Sequence, residues 1–199
     1  SSVYENLKIG VNISGKHLAV EDLPNQVKRA VNAARINPST LTLEITESSA
    51  MENAEHTIAI LDKVRELGVT LSIDDFGTGY SSLSHLPRLP FDSLMIDRSF
   101  VMEADKHAEN KQILQTIMSL ANNLDLKTVA EGIETEDQLQ LLQDLKCDFG
   151  QGYLFSKPMP PNEVEDLLYK KTHWLPQTEE IFEDDDLTQD ITEDNAHIF

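Results

Sequence analysis

Asp74 and Asp75 stand side by side at the end of an apolar run, VTLSID (69–74), and the stretch continues DDFGTGYSSL (74–83). Two adjacent carboxylates at a strand end have the chemistry of a metal loop. One can bridge two cations while the other completes the second, and Gly77 and Gly79 let the backbone turn sharply after them. The pair does not stand alone. Asn12 in LKIGVNI (7–13), Glu44 in LTLEIT (41–46), Asp97 closing FDSLMID (91–97) and Glu131 closing LKTVAE (126–131) repeat the arrangement, and Gln151 lies in FGQGYLF (149–155).

Alternation sorts each of these stretches into two faces. Leu7, Ile9, Val11 and Ile13 share one face and Lys8, Gly10 and Asn12 the other; Leu41, Leu43 and Ile45 oppose Thr42, Glu44 and Thr46. Leu71 and Ile73 oppose Thr70, Ser72 and Asp74, and Leu94 and Ile96 oppose Ser93, Met95 and Asp97. Parallel strands are normally apolar on both faces because both are covered. A face that turns polar near the C-terminal end of strand after strand therefore predicts a shared mouth. Asn12, Glu44, Asp74, Asp97 and Glu131 converge there, with Asp75 and Gln151 beside them. So many carboxylates require protons or cations between them. All-oxygen ligands suit Mg²⁺, Mn²⁺ or Ca²⁺. The six histidines form no His-x-x-x-His pair and there is one cysteine, so a zinc site is not expected.

The elements that must position these groups alternate. Helical spacing is read over 17–35, over 51–67 with Gly68 after it, towards Leu86, through Ile113, Ile117, Leu120 and Leu124, from a Thr135–Gln138 capping box to Leu145, and over 162–171. Strands alternating with helices predict a parallel α/β sheet with crossover helices. A doubly wound sheet and a (β/α)8 barrel both fit, although no Gly-rich nucleotide turn follows the first strand.

At 199 residues and 26% charged, the chain is the size of one domain. No apolar run is long enough to span a bilayer. Cys147 in LKCDFG reads as a small buried filler in a reducing cytosol. The net charge of −19 excludes a nucleic-acid polymer as partner. Nine of the acids fall after Leu175 with no Lys or Arg among them, which predicts a domain over 1–174 and a solvated, disordered acidic tail over 175–199.

DDFGTGYSSL (74–83), together with VNIS (11–14), LEITES (43–48), IDRSFV (96–101), AEGIET (130–135) and QGYLFSKP (151–158), resembles the EAL domain of cyclic-di-GMP phosphodiesterases. The resemblance implies a (β/α)8 TIM-like barrel with one irregular strand direction, two Mg²⁺ or Mn²⁺ ions, and hydrolysis of cyclic-di-GMP to pGpG in the cytoplasm. It implies Asn12, Glu44, Asp74 (bridging) and Asp75 as metal ligands, and Glu131 and Gln151 as groups around the attacking water. By the same resemblance Glu134 steadies the DDFGTG loop, and Asp97 and Pro158 line the substrate pocket. A homodimer through residues 74–88 and upstream sensory or GGDEF-type domains, through which a parent protein can be membrane-anchored, follow from it too.

Two departures qualify these expectations. The first two strands of the family's barrel, one carrying the Glu-Ala-Leu motif and a metal ligand, have no counterpart, so about six of eight strands are expected in a piece of a longer protein. The family also has Lys where Met95 stands, and Met neither accepts a proton nor carries charge. Lys127 lies towards the wrong end of the barrel to replace it. Hydrolysis is therefore expected to be weak or absent, and a cyclic-di-GMP receptor or scaffold is the alternative. A Mg²⁺-dependent barrel lyase or racemase lacks a well-placed Lys or His base.

Overall fold

The polar-ended strands assemble side by side. In the computed structural model, which describes residues 7–78, 85–104 and 107–169, six parallel strands lie in chain order: β1 (Ile9–Ile13), β2 (Leu41–Thr46), β3 (Thr70–Phe76), β4 (Ser93–Ile96), β5 (Lys127–Ala130) and β6 (Phe149–Gly150). The sheet curls into an incomplete TIM-like barrel. Helices α1 (Gly15–Leu18) and α2 (Leu23–Ala34) connect β1 to β2, and α3 (Glu47–Glu52) and α4 (Ala54–Arg65) connect β2 to β3. A 3-10 turn at Leu86–Arg88 precedes β4; α5 (Arg98–Val101) and α6 (Ala108–Asn123) follow it, and α7 (Glu136–Asp144) joins β5 to β6.

Local chemistry explains where the helices depart from the expected spans. The segment 17–35 is two helices rather than one, because Pro24 stands in the first turn of α2, where its missing N–H costs nothing, and would break a helix interior. Asn53 likewise divides the next stretch: its side chain accepts the His56 N–H and starts α4 afresh. The Thr135–Gln138 capping box is formed, with the Gln138 Oε1 taking the Thr135 N–H at 3.2 Å.

The core lies between the outward strand faces and the helices. Leu43, Ile45, Leu71, Ile73, Leu94 and Ile96 are buried there with Leu61, Val64, Leu114 and Ile117. Each such side chain contributes about 1.5–3 kcal/mol by leaving water. β1 is the exception: Ile9 and Val11 are 51% and 41% exposed, against 2% and 0% for Leu43 and Ile45 in the neighbouring strand. β1 and β6 are the two ends of the sheet.

Two acids at the N-terminal end of the sheet repeat one device. Asp92 accepts the Leu71 N–H at 2.9 Å and pairs with Arg65 at 3.0 Å; Asp148 accepts the Thr128 N–H at 2.9 Å and pairs with Lys127 at 2.7 Å. Cys147 is free and half-buried, its thiol held up from its usual range by burial.

The described residues up to 157 and those from 158 to 169 fall into two separate units. Within the second, α8 spans Pro161–Tyr169. The predicted boundary at 174, the acidic tail, and residues 79–84 of the 74–88 surface lie outside the described residues. No helix among the described residues is long and apolar enough to cross a membrane.

Candidate metal centre

Alternation alone would point Asp74 and Asp75 to opposite faces of β3. The structure turns both toward the mouth by a bulge. Ile73 pairs with Leu94 and Phe76 with Ile96, so three steps along β3 match two along β4. Asp75 absorbs the extra residue in the left-handed region, at φ 54°. The next strand but one delivers Glu131, whose N–H donates to the Ile96 carbonyl at 3.1 Å. One carboxylate oxygen from each of Asp74, Asp75 and Glu131 lies within 4.8 Å of the others, and all three residues are half-buried.

The electrostatics are those of an uncompensated acidic cluster. Burial, reinforced by the charge of Asp74, pushes the Glu131 carboxyl up to about 7. Burial also raises Asp74, with Asp75 and Asp97 adding repulsion against the partial relief of the Asp75 N–H. Glu44 is raised by burial and by Asp74. Gln151 donates its side-chain N–H to Glu131 Oε1 and so fixes that carboxylate's orientation. An all-oxygen set with this much unbalanced charge fits hard divalent cations.

Asn12 and Glu44 are register partners on β1 and β2, on the same face as the cluster. The Glu44 carboxylate lies over Gly10, where a Cβ would collide with it. Glu44 stands outside the 4.8 Å set and is linked to it through the charge of Asp74. Asp97 caps α5 by accepting the Ser99 N–H at 2.9 Å, so its carboxylate is partly engaged at the rim. Met95, on the same face of β4, is 3% exposed, and its Cα partner in β5 is Val129. Lys127 is occupied by Asp148 at the opposite end of the sheet. Pro158 belongs to the second compact unit.

The loop-steadying role expected of Glu134 is a correction. The Glu134 side chain is exposed where its backbone N–H meets Gln138 Oε1. The acid that holds the metal loop is Glu47, 2% exposed, whose Oε2 accepts the Gly77 N–H at 2.8 Å. On the far side Gly77 faces the Phe100 ring, which a Cβ would approach to 3.0 Å. The signal was a glutamate three residues after Glu44, at the strand-to-helix junction in LEITES. Replacing Glu47 by Ala removes the buried carboxylate that accepts the Gly77 N–H. We expect a stability loss of about 1–2 kcal/mol and weaker Mn²⁺ binding, read by thermal melts with and without the ion. Unchanged Mn²⁺ binding would count against the coupling.

The comparisons with known proteins agree with this geometry. The EAL domain family model matches residues 2–158. The cyclic di-GMP phosphodiesterase NbdA of Pseudomonas aeruginosa is 46% identical over 165 residues, 83% of this chain and 21% of NbdA. MucR of the same organism, a bifunctional diguanylate cyclase/cyclic di-GMP phosphodiesterase, is 44% identical over 78% of this chain and 23% of MucR. The chain thus spans about a fifth of the length of these curated relatives. The MucR phosphodiesterase solved in complex with c-di-GMP superposes with a TM-score of 0.76 at 43% identity, covering 79% of this chain and 64% of that one. The EAL domain of Mycobacterium smegmatis DcpA gives 0.79 at 37% identity, covering 82% and 73%. The chain belongs to the EAL domain family, homologous to cyclic-di-GMP phosphodiesterases.

Proposed function

We propose that this chain is the greater part of a cytoplasmic EAL domain that binds Mg²⁺ or Mn²⁺ and cyclic-di-GMP, with hydrolysis to pGpG weakened or lost at Met95. The observation that carries the reading is the Asp74, Asp75 and Glu131 cluster at the C-terminal ends of β3 and β5. In a barrel that end is where ligands are handled. Asp74, Asp75, Glu44 and Asn12 would hold the ions. Bound divalent ions supply Lewis-acid activation of water and neutralise charge on the phosphodiester.

The residues of the chain do the rest. In the net reaction water adds across one P–O3′ bond: its oxygen joins phosphorus, and the departing O3′ takes a proton. Glu131, with its raised carboxyl, can accept a proton at neutral pH, and Gln151 keeps it oriented. Met95 contributes neither proton nor charge. Asp97 is assigned to the pocket wall. Upstream sensory or GGDEF-type domains, and a homodimer through 74–88, complete the reading.

The second reading, a cyclic-di-GMP receptor or scaffold, is favoured by Met95 itself. Calorimetry of cyclic-di-GMP binding in Ca²⁺, followed by chromatography for pGpG in Mn²⁺, tests both. Binding without pGpG supports the receptor; binding with slow pGpG formation supports the weakened enzyme; no binding in either ion sinks both.

A further inference from the structure

We propose that Arg98 is a ligand-binding residue, its guanidinium taking a non-bridging phosphate oxygen of the cyclic dinucleotide; this rests on the functional reading above. Arg98 opens α5 immediately beyond Asp97 and is exposed at the same end of the sheet as the carboxylates. It is placed by a close approach. Gly132, next to Glu131, has φ +70°, and a Cβ built on it would come within 2.5 Å of the Arg98 Cβ. The backbone of α5 thus sits directly against the segment that carries Glu131, and the long side chain of Arg98 starts one residue from the cluster.

Its charge is unspent. Among the described residues Arg29, Arg65, Arg88 and Lys127 are paired with Asp22, Asp92, Glu55 and Asp148. Arg98 is in none of these pairs. The acid beside it, Asp97, turns its Oδ1 to the Ser99 N–H and hydroxyl instead. In a chain of net charge −19, an exposed arginine outside these pairs, whose backbone lies against the segment that carries Glu131, points to an anionic ligand rather than to a protein carboxylate.

Other exposed side chains have a simpler explanation. Ile9, Val11, Phe149 and Tyr153 lie on or beside the two end strands of the sheet. Arg98 does not: it follows β4, which is flanked by β3 on one side and β5 on the other. Its exposure is a property of the mouth. Guanidinium matches phosphate oxygens in a bidentate fork. It also places a cation three residues beyond Met95 on the same strand end, where the strand itself carries none.

The test is calorimetry on the full 199-residue chain in Ca²⁺, with cyclic-di-GMP and cyclic-di-AMP as probes, for the unaltered chain, Arg98→Ala and Arg98→Lys. Arg98→Ala is expected to weaken both nucleotides to a similar degree, about tenfold or more. Arg98→Lys should recover part of the loss, and Arg98→Ala should lower the salt dependence of binding. Mn²⁺ affinity without nucleotide should stay unchanged, which shows that the mouth is intact. Equal affinity of Arg98→Ala and the unaltered chain for cyclic-di-GMP overturns the inference and leaves the functional reading standing. A loss confined to cyclic-di-GMP also overturns it, because Arg98 would then read guanine rather than phosphate. Failure of the unaltered chain to bind either nucleotide removes the functional reading and this inference together.

Discussion

Met95→Lys, in a chain fused to the first two barrel strands of a related EAL domain, is expected to raise the rate of pGpG formation by about 10²–10⁴-fold. The site explains both the size and the tolerance of the change. Met95 lies buried on the cluster face of β4, beside β3 with its Asp74–Asp75 bulge and β5, which Glu131 follows. An ammonium ion there lies on the face of carboxylates that burial first, and their mutual repulsion second, raise at Asp74 and Glu131, so its burial is compensated rather than isolated. It also has a neutral partner at hand. Ser72, on the same face of β3 and the register partner of Ser93, has a buried Oγ with no hydrogen-bond partner among the described residues. Lys at 95 is its diagonal neighbour and supplies a donor. Single-turnover chromatography of pGpG in Mn²⁺ measures the gain. No gain with Mn²⁺ still bound removes Met95 as the limiting group.

Much of this site was legible because strand alternation is a strict geometric rule. Glu44, Asp74 and Glu131 belong to one face wherever the strands run parallel, and the six strands confirm that register. What the rule cannot show is where it is broken. Asp75 reaches the cluster through a bulge and a left-handed backbone, and neither leaves a periodic trace in the sequence. The loop support was misplaced for a related reason. Glu134 and Glu47 both follow a strand-end acid by three residues. Only three-dimensional packing shows that the chain after Glu44 buries its second glutamate beneath Gly77, while the chain after Glu131 exposes its own. The helix breaks at Pro24 and Asn53 were visible residues whose local chemistry outweighed a continuous apolar period. β6 is shorter than its apolar run, with Phe149–Gly150 alone pairing. Beyond Gly150 the backbone turns to Ile133: the Ile133 N–H donates to Gln151 O and the Leu154 N–H to Ile133 O. That turn carries Gln151 to Glu131.

Divalent-cation binding should rise steeply with pH, and the stability of the metal-free chain should fall over the same range. Glu131 is raised from an ordinary carboxylate value to about 7, by burial first and by Asp74 second. The folded chain therefore holds a proton on Glu131 between pH 4.5 and about 7 that the unfolded chain has already released. Raising the pH through this window favours unfolding, so stability is greatest below it and is lost as pH climbs through the folded value. Solvent screening at a half-exposed site limits the loss to about 1–2 kcal/mol. A cation must displace the same proton, so its affinity should rise about tenfold between pH 6 and pH 8 and level off above. Saturation to about 100 times the dissociation constant then adds about 2.7 kcal/mol to the folded state and reverses the trend. Melting temperatures at pH 5, 6, 7 and 8, with EDTA and with Mn²⁺, display the two slopes. Glu131→Gln should flatten the EDTA series, because its amide does not titrate, and weaken Mn²⁺ binding at pH 8. Parallel slopes in EDTA for Glu131→Gln and the unaltered chain would assign the titration to Glu44 or Asp74, whose carboxyls the same burial raises.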